Sequence, residues 1–180
     1  MEPPKIFCIG LWKTGTKSFG QAMAMLGFKT HCHYWPKVEG PLNKGILPAS
    51  VSDAEIAEIL EVINTHNAFA DSPWMNIYRW VENTFPNSKF VLSLRKYPEQ
   101  IAVSEYYHAI KNGSEKSDIK DPNFFIDRYN QHNQDVRDYF KDKPGKLLEA
   151  CWETDGWGKL PEFIGVLPPF PHINKGTYRK

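Results

Sequence analysis

The sequence predicts an α/β fold: an open, mostly parallel sheet flanked by helices. Three observations carry that expectation. Two runs, Lys5 to Leu11 (KIFCIGL) and Lys89 to Leu94 (KFVLSL), are almost continuously apolar, as strands buried on both faces of a parallel sheet are. The first run leads through a turn-rich loop into a stretch with apolar residues at helical spacing. Shorter apolar runs then alternate with amphipathic segments, the pattern of strands joined by crossover helices.

After the loop from Trp12 to Thr16, Lys17 to Leu26 (KSFGQAMAML) has the helical spacing and stops at Gly27, a residue suited to a helix terminus. Phe28 to Trp35 reads as a second strand, and Pro36 to Ser50, rich in Pro, Gly and Lys, as a surface loop. Ser52-Asp-Ala-Glu55 is a capping-box pattern, with Ile56, Ile59, Leu60 and Ile63 repeating on one face behind it. Ala68 to Asp71 reads as a short strand and Trp74 to Phe85 as a helix, before the second buried strand. Pro98 opens a helix through Tyr107 or beyond. Asp121-Pro122 opens another, with Phe125, Tyr129, His132, Val136 and Tyr139 at three- and four-residue steps. Lys146 to Cys151 is a further strand and Gly158 to Val166 a closing helix. In such a sheet, ligands bind beyond the carboxyl ends of the strands.

The 180 residues are 41% hydrophobic and 24% charged, with Gly 12 and Pro 14, which fits one globular domain over residues 1–180. At this length roughly 70% of the unfolded surface is buried, so neither a metal nor a disulfide is needed for a core. A net charge of +1 is too small for a general duplex binder, so any anion site must be local. Cys8, Cys32 and Cys151 are odd in number and lack CxxC spacing, which points to free thiols and a cytoplasmic setting. The apolar start is too short to span a bilayer, and no membrane anchor is expected. His31-Cys32-His33 invites a zinc reading, but alternation on a strand sends these side chains to opposite faces. No partner pair of suitable spacing exists elsewhere, and no metal is expected.

Gly10-Leu-Trp-Lys13-Thr14-Gly15-Thr16-Lys17-Ser18 lies where a strand gives way to a helix. Backbone N–H groups and the positive helix end can cradle a phosphate there, with glycine allowing close approach. Counted from Gly10, a Walker loop GxxxxGK[ST] would have lysine where Thr16 stands, so the match fails. The second buried strand ends in Arg95 rather than a magnesium-binding acid. Both points count against a P-loop kinase.

Lys13-Thr-Gly-Thr16 after an apolar strand resembles the 5′-phosphosulfate loop (KxGT) of the sulfotransferase family. Phe90-Val-Leu-Ser-Leu-Arg95, then Pro98 and Ser104-Glu-Tyr-Tyr-His108, resembles that family's 3′-phosphate motif. Tyr129-Asn-Gln-His132-Asn133, Gly156-Trp157 through Gly165 and Phe170-Pro-His172 through Lys175 resemble later segments of bacterial members. The likeness thus runs in order over nearly the whole chain.

The resemblance implies a P-loop-like fold and a metal-free, in-line transfer of a sulfuryl group. The donor would be 3′-phosphoadenosine 5′-phosphosulfate (PAPS), leaving adenosine 3′,5′-bisphosphate (PAP). The acceptor would be a hydroxyl or amine of a small molecule or carbohydrate, with no nucleic acid or membrane involved. Lys13 would stabilise the leaving phosphate. Thr14, Gly15, Thr16, Lys17 and Ser18 would hold the 5′ end through backbone N–H groups and hydroxyls. Arg95 and Ser104 would hold the 3′-phosphate, with Lys175 and Gly176 resembling a late basic segment that closes the nucleotide site. Asp71, at the end of the strand preceding the 3′-phosphate block, would be the base, although Asp71-Ser72-Pro73 is equally a helix start. Arg95 has an alternative too, as the partner of a nearby carboxylate. Where the family stacks a tryptophan on adenine, this chain has Ser18, leaving Trp12 or the C-terminal segment for that task. A binding protein that kept the nucleotide pocket without turnover is the alternative from another class. The acceptor's identity and the oligomeric state are not legible.

Overall fold

A computed structural model of the chain describes residues 4–32 and 45–165. Its five strands are β1 (Ile6–Cys8), β2 (Thr30–His31), β3 (Ala68–Phe69), β4 (Lys89–Leu94) and β5 (Leu147–Cys151). They form one sheet in the order β2-β3-β1-β4-β5, and every pair is parallel. The helices are α1 (Thr16–Met25), α2 (Asp53–Thr65), α3 (Trp74–Thr84), α4 (Glu99–Lys111), α5 (Pro122–Phe140) and α6 (Lys159–Ile164). The chain leaves β1 toward one edge and later returns past it to reach β4. The carboxyl end of β1 is therefore a topological switch point, where neighbouring connections diverge and leave a crevice.

The alternation of side chains along each strand divides the core in two. On one face Phe7 stacks on Phe69 at 4.3 Å and on Phe90 at 5.7 Å between ring centres. Against this row pack Ile59 and Ile63 of α2, Ile77 and Val81 of α3, and Val136 and Phe140 of α5. On the other face Ile6, Cys8, Ala68, Val91 and Ala150 meet Phe19 and Met23 of α1 and Leu160 and Ile164 of α6. Both faces are covered, which is why the central strands read as unbroken apolar runs. Removing a ring such as Phe7 from this row would cost about 3–5 kcal/mol.

The predicted elements are present, with shifted limits. β1 is shorter than Lys5 to Leu11, because the chain leaves the sheet at Gly10. A Cβ there would come 2.4 Å from the Ser93 backbone oxygen, so only glycine fits against β4. The strand expected over Phe28 to Trp35 is reduced to Thr30–His31 at the sheet edge, and its last three positions lie outside the described residues. Positions 45–50 of the expected surface loop carry neither helix nor strand. The capping box is complete: the Glu55 N–H donates to Ser52 Oγ at 3.3 Å and the Ser52 N–H to Glu55 Oε2 at 2.8 Å. α4 runs four residues past Tyr107, and Lys116–Asp118 adds a 3₁₀ turn to the loop behind it. Among the described residues no helix is long and apolar enough to cross a membrane, and Cys8, Cys32 and Cys151 are free thiols.

Candidate active site at the strand ends

The loop between β1 and α1 is held from three sides. His132 of α5 is buried and places Nε2 2.7 Å from the Ile9 carbonyl oxygen. That carbonyl accepts the ring's N–H and fixes the end of β1. Burial pushes the His132 pKa down to about 4, so the ring is neutral at pH 7 and serves as a brace. One turn earlier on α5, Tyr129 Oη accepts the Arg95 backbone N–H at 3.0 Å and fixes the end of β4. The Tyr129…His132 pair picked out in the sequence thus aligns the two central strand ends. On the third side, Trp152, stacked on Trp157 at 4.2 Å, lies against the loop. A Cβ on Gly15 would come 2.6 Å from Trp152 Cδ1, and Gly15 has φ +92°. Both facts demand glycine.

Thr14 is turned inward, away from the cleft. Its hydroxyl donates to the Leu11 carbonyl at 2.5 Å and shares a 2.6 Å hydrogen bond with Ser93 Oγ. Its N–H also points to Leu11 O, at 3.4 Å. The side chain is 1% exposed. Thr14 is an internal tie between loop and β4, and its hydroxyl is not offered to a ligand. The next residues open α1. α1 begins with Gly15 as N-cap, with no capping side chain and no acidic residue in its first turn. The free N–H groups of that turn create a positive end beside half-buried Lys13, buried Thr16 and exposed Lys17 and Ser18.

Lys13 and Asp71 both have left-handed backbone, φ 64° and φ 72°, a conformation that side chains with a Cβ adopt at a cost of order 1–3 kcal/mol. Asp71 is not the helix cap its sequence allowed. The α3 N-cap is Pro73, without a side-chain cap bond, while the Asp71 side chain lines the same cleft as Lys13. Burial raises its carboxyl pKa, and Lys17 and Lys13 pull it part of the way back.

Arg95 sits beside the loop. Its Nε donates to the Lys13 backbone oxygen and its Nη1 pairs with Glu153 Oε1 at 2.5 Å. The carboxylate pairing that sequence reasoning left open is therefore present, and Arg95 also faces the cleft. Glu153 further accepts the Lys96 N–H at 3.1 Å and a Gln100 side-chain N–H at 3.3 Å. Ser104 is half-buried on α4, where Ile101, Glu105 and His108 form the cleft wall instead. Lys175 and Gly176 lie outside the described residues.

The cleft has a volume of about 680 Å³, within the range of small-molecule sites. Four cations, Lys13, Lys17, Arg95 and Arg128, face it against the carboxylates of Asp71 and Glu105. Leu11, Trp12, Ile101 and Phe125 give it apolar wall. Arg128, Glu105, Glu153 and Trp152 were missed in the sequence. For Arg128 a signal exists: it stands three after Phe125 and four before His132, on the stripe that faces inward. Among the described residues no group of His, Cys, Asp and Glu could hold a metal ion.

The family profile described as a sulfotransferase domain matches residues 5–104 and 99–178 of the chain. No curated protein matches in sequence. Among solved structures, a sulfotransferase from Alicyclobacillus acidocaldarius superposes with a TM-score of 0.63 at 14% identity, covering 93% of this chain and 83% of that one. The sulfotransferase domain from the curacin biosynthetic pathway superposes with a TM-score of 0.53 at 14% identity, covering 93% and 76%. At such identity the superpositions speak to the fold alone. The profile match extends over most of the sequence, and on it the chain belongs to the sulfotransferase family.

Proposed function

We propose that the chain moves a sulfuryl group from PAPS to a hydroxyl or amine acceptor, without a metal, in a cytoplasmic setting that its free thiols fit. The observation that carries this reading is the uncapped first turn of α1, opening beside Lys13 and Lys17 into a cleft that also holds a carboxylate of raised pKa. The donor set suits a phosphosulfate: backbone N–H groups of Gly15 to Ser18 and the Lys13 ammonium for the 5′ end, and the unengaged donors of the Arg95 guanidinium for a further phosphate. Ser104 and the Lys175-Gly176 segment join the proposal through the family resemblance alone.

When bound, PAPS supplies an activated sulfuryl group. The chain's own residues do the rest. Lys13, held in place by its backbone conformation and the Arg95 contact, keeps a positive charge where negative charge grows on the leaving phosphate. Asp71 orients the acceptor hydroxyl or amine and takes its proton on the carboxylate. Burial makes that carboxylate a better base than an exposed one, and the two lysines pull its pKa part of the way back.

Calorimetry with PAP and, separately, with ATP-magnesium tests the nucleotide, and transfer of labelled sulfate to an acceptor panel tests turnover. Binding of PAP that is lost on Lys13→Ala, together with transfer, is expected. Binding of ATP-magnesium alone would overturn the donor assignment, and tight PAP binding without transfer to any acceptor would leave a nucleotide binder.

A further inference from the structure

Arg128 of α5 lines this cleft. Its guanidinium carbon lies 4.4 Å from the centre of the Trp12 ring. The side chain is half-buried. Among the described residues it makes no hydrogen bond or ion pair. Glu105, across the cleft wall on α4, attracts it electrostatically without closing to an ion pair. Arg95 is different, since it already spends two donors on the Lys13 backbone oxygen and Glu153.

A guanidinium that has lost part of its hydration and gained no counter-ion is unfavourable until an anion arrives. The stack on Trp12 keeps it from swinging out to solvent and so preorganises it one residue away from Lys13. Its fork matches a planar or tetrahedral oxyanion through two parallel hydrogen bonds. Glu105 nearby disfavours a doubly charged phosphate more than a singly charged group, because its repulsion scales with the ligand's charge. In the proposed reading α1, Lys13 and Lys17 serve the donor's 5′ end and the unengaged donors of Arg95 its further phosphate. What remains for Arg128 is the other reactant, beside the apolar surfaces of Phe125 and Ile101.

We propose that Arg128 selects the acceptor, and that the natural acceptors carry a singly charged oxyanion, a carboxylate or a sulfate ester, near the hydroxyl or amine that is sulfated. This rests on the reading of the cleft as a sulfuryl-transfer site. The test is calorimetry on the full chain saturated with PAP, using two matched pairs. One is 4-hydroxyphenylacetate against 4-hydroxyphenylacetamide, and the other is methyl galactoside 6-sulfate against methyl galactoside.

At least one anionic probe is expected to bind about tenfold or more tightly than its neutral counterpart, and the pair that responds identifies which oxyanion is used. Arg128→Met erases that preference while leaving PAP affinity within about twofold, as expected of a residue that does not touch the donor. Glu105→Gln widens the preference by removing the competing carboxylate, and it serves alone if Arg128→Met does not fold. Equal binding of charged and neutral probes, no binding of either anion, or a preference that survives Arg128→Met or shrinks in Glu105→Gln overturns the proposal. Loss of PAP affinity in Arg128→Met overturns it too, and assigns the residue to the donor. Failure of the unaltered protein to bind PAP is a separate result, which defeats the donor reading itself.

Discussion

Acidification should loosen this fold through His132. The ring is neutral because it is buried, with its pKa lowered from 6.5 to about 4. A depressed folded-state pKa means that the unfolded chain binds more protons between the two values, so stability is full above the unfolded pKa and is lost as pH falls toward the folded one. The whole gap is worth about 3 kcal/mol at 1.36 kcal/mol per unit. Between pH 7 and pH 5 the linkage relation gives a loss of about 2 kcal/mol from this residue. Asp71 works in the opposite sense, since its raised pKa relieves a burial cost as pH falls. Comparison with a variant cancels that term and those of the other histidines. Urea unfolding of the parent chain and of His132→Gln at pH 7 and pH 5 measures the difference: the parent should lose about 2 kcal/mol more than the variant over that interval. Equal losses would refute the assignment of His132 as a neutral brace on Ile9, whatever the variant's stability at pH 7.

Gly15→Ala places a Cβ against Trp152 at φ +92°. It should cost about 1–3 kcal/mol in thermal or urea unfolding and abolish PAP binding, because the first turn of α1 must shift. Asp71→Asn should cut labelled-sulfate transfer at least about a hundredfold while PAP affinity holds in calorimetry. In the parent chain transfer should fall as pH drops through the raised Asp71 pKa, since the base must be ionised. Glu153→Gln removes the carboxylate from Arg95 in an exposed setting, so stability should change by less than about 1 kcal/mol. PAP affinity should rise several-fold if Arg95 serves the donor, and an unchanged affinity would leave Arg95 as a tie for the loop alone.

Much of this molecule is legible in one dimension because its central strands are covered on both faces and its helices on one. The first condition writes KFVLSL as a nearly unbroken apolar run at Lys89–Leu94, and the second writes the inward stripe of α5. Ser52 and Glu55 announce α2 because a capping box is satisfied locally. The expected strand over Phe28 to Trp35 is longer than β2 because among its described residues only Thr30 and His31 find a partner at the sheet edge, and a run of apolar and aromatic residues does not say how far the neighbouring strand reaches. The placement of Lys13 and Gly15 to Ser18 between β1 and α1 is legible because a strand end, a glycine and a helix start follow one another along the chain, whereas Asp71 is picked out through the family resemblance.

The sequence by itself determined the sheet, the loop at its centre and the family to which both belong, since each follows from local periodicity and from short motifs in order. Tertiary structure alone decided that Thr14 is turned inward onto Ser93, that Glu153 reaches Arg95 across 58 positions, and that Arg128 is left facing the cleft from its seat on Trp12. A hydroxyl or a charge finds its partner through space, and no spacing along the chain encodes a contact made between the ends of different strands.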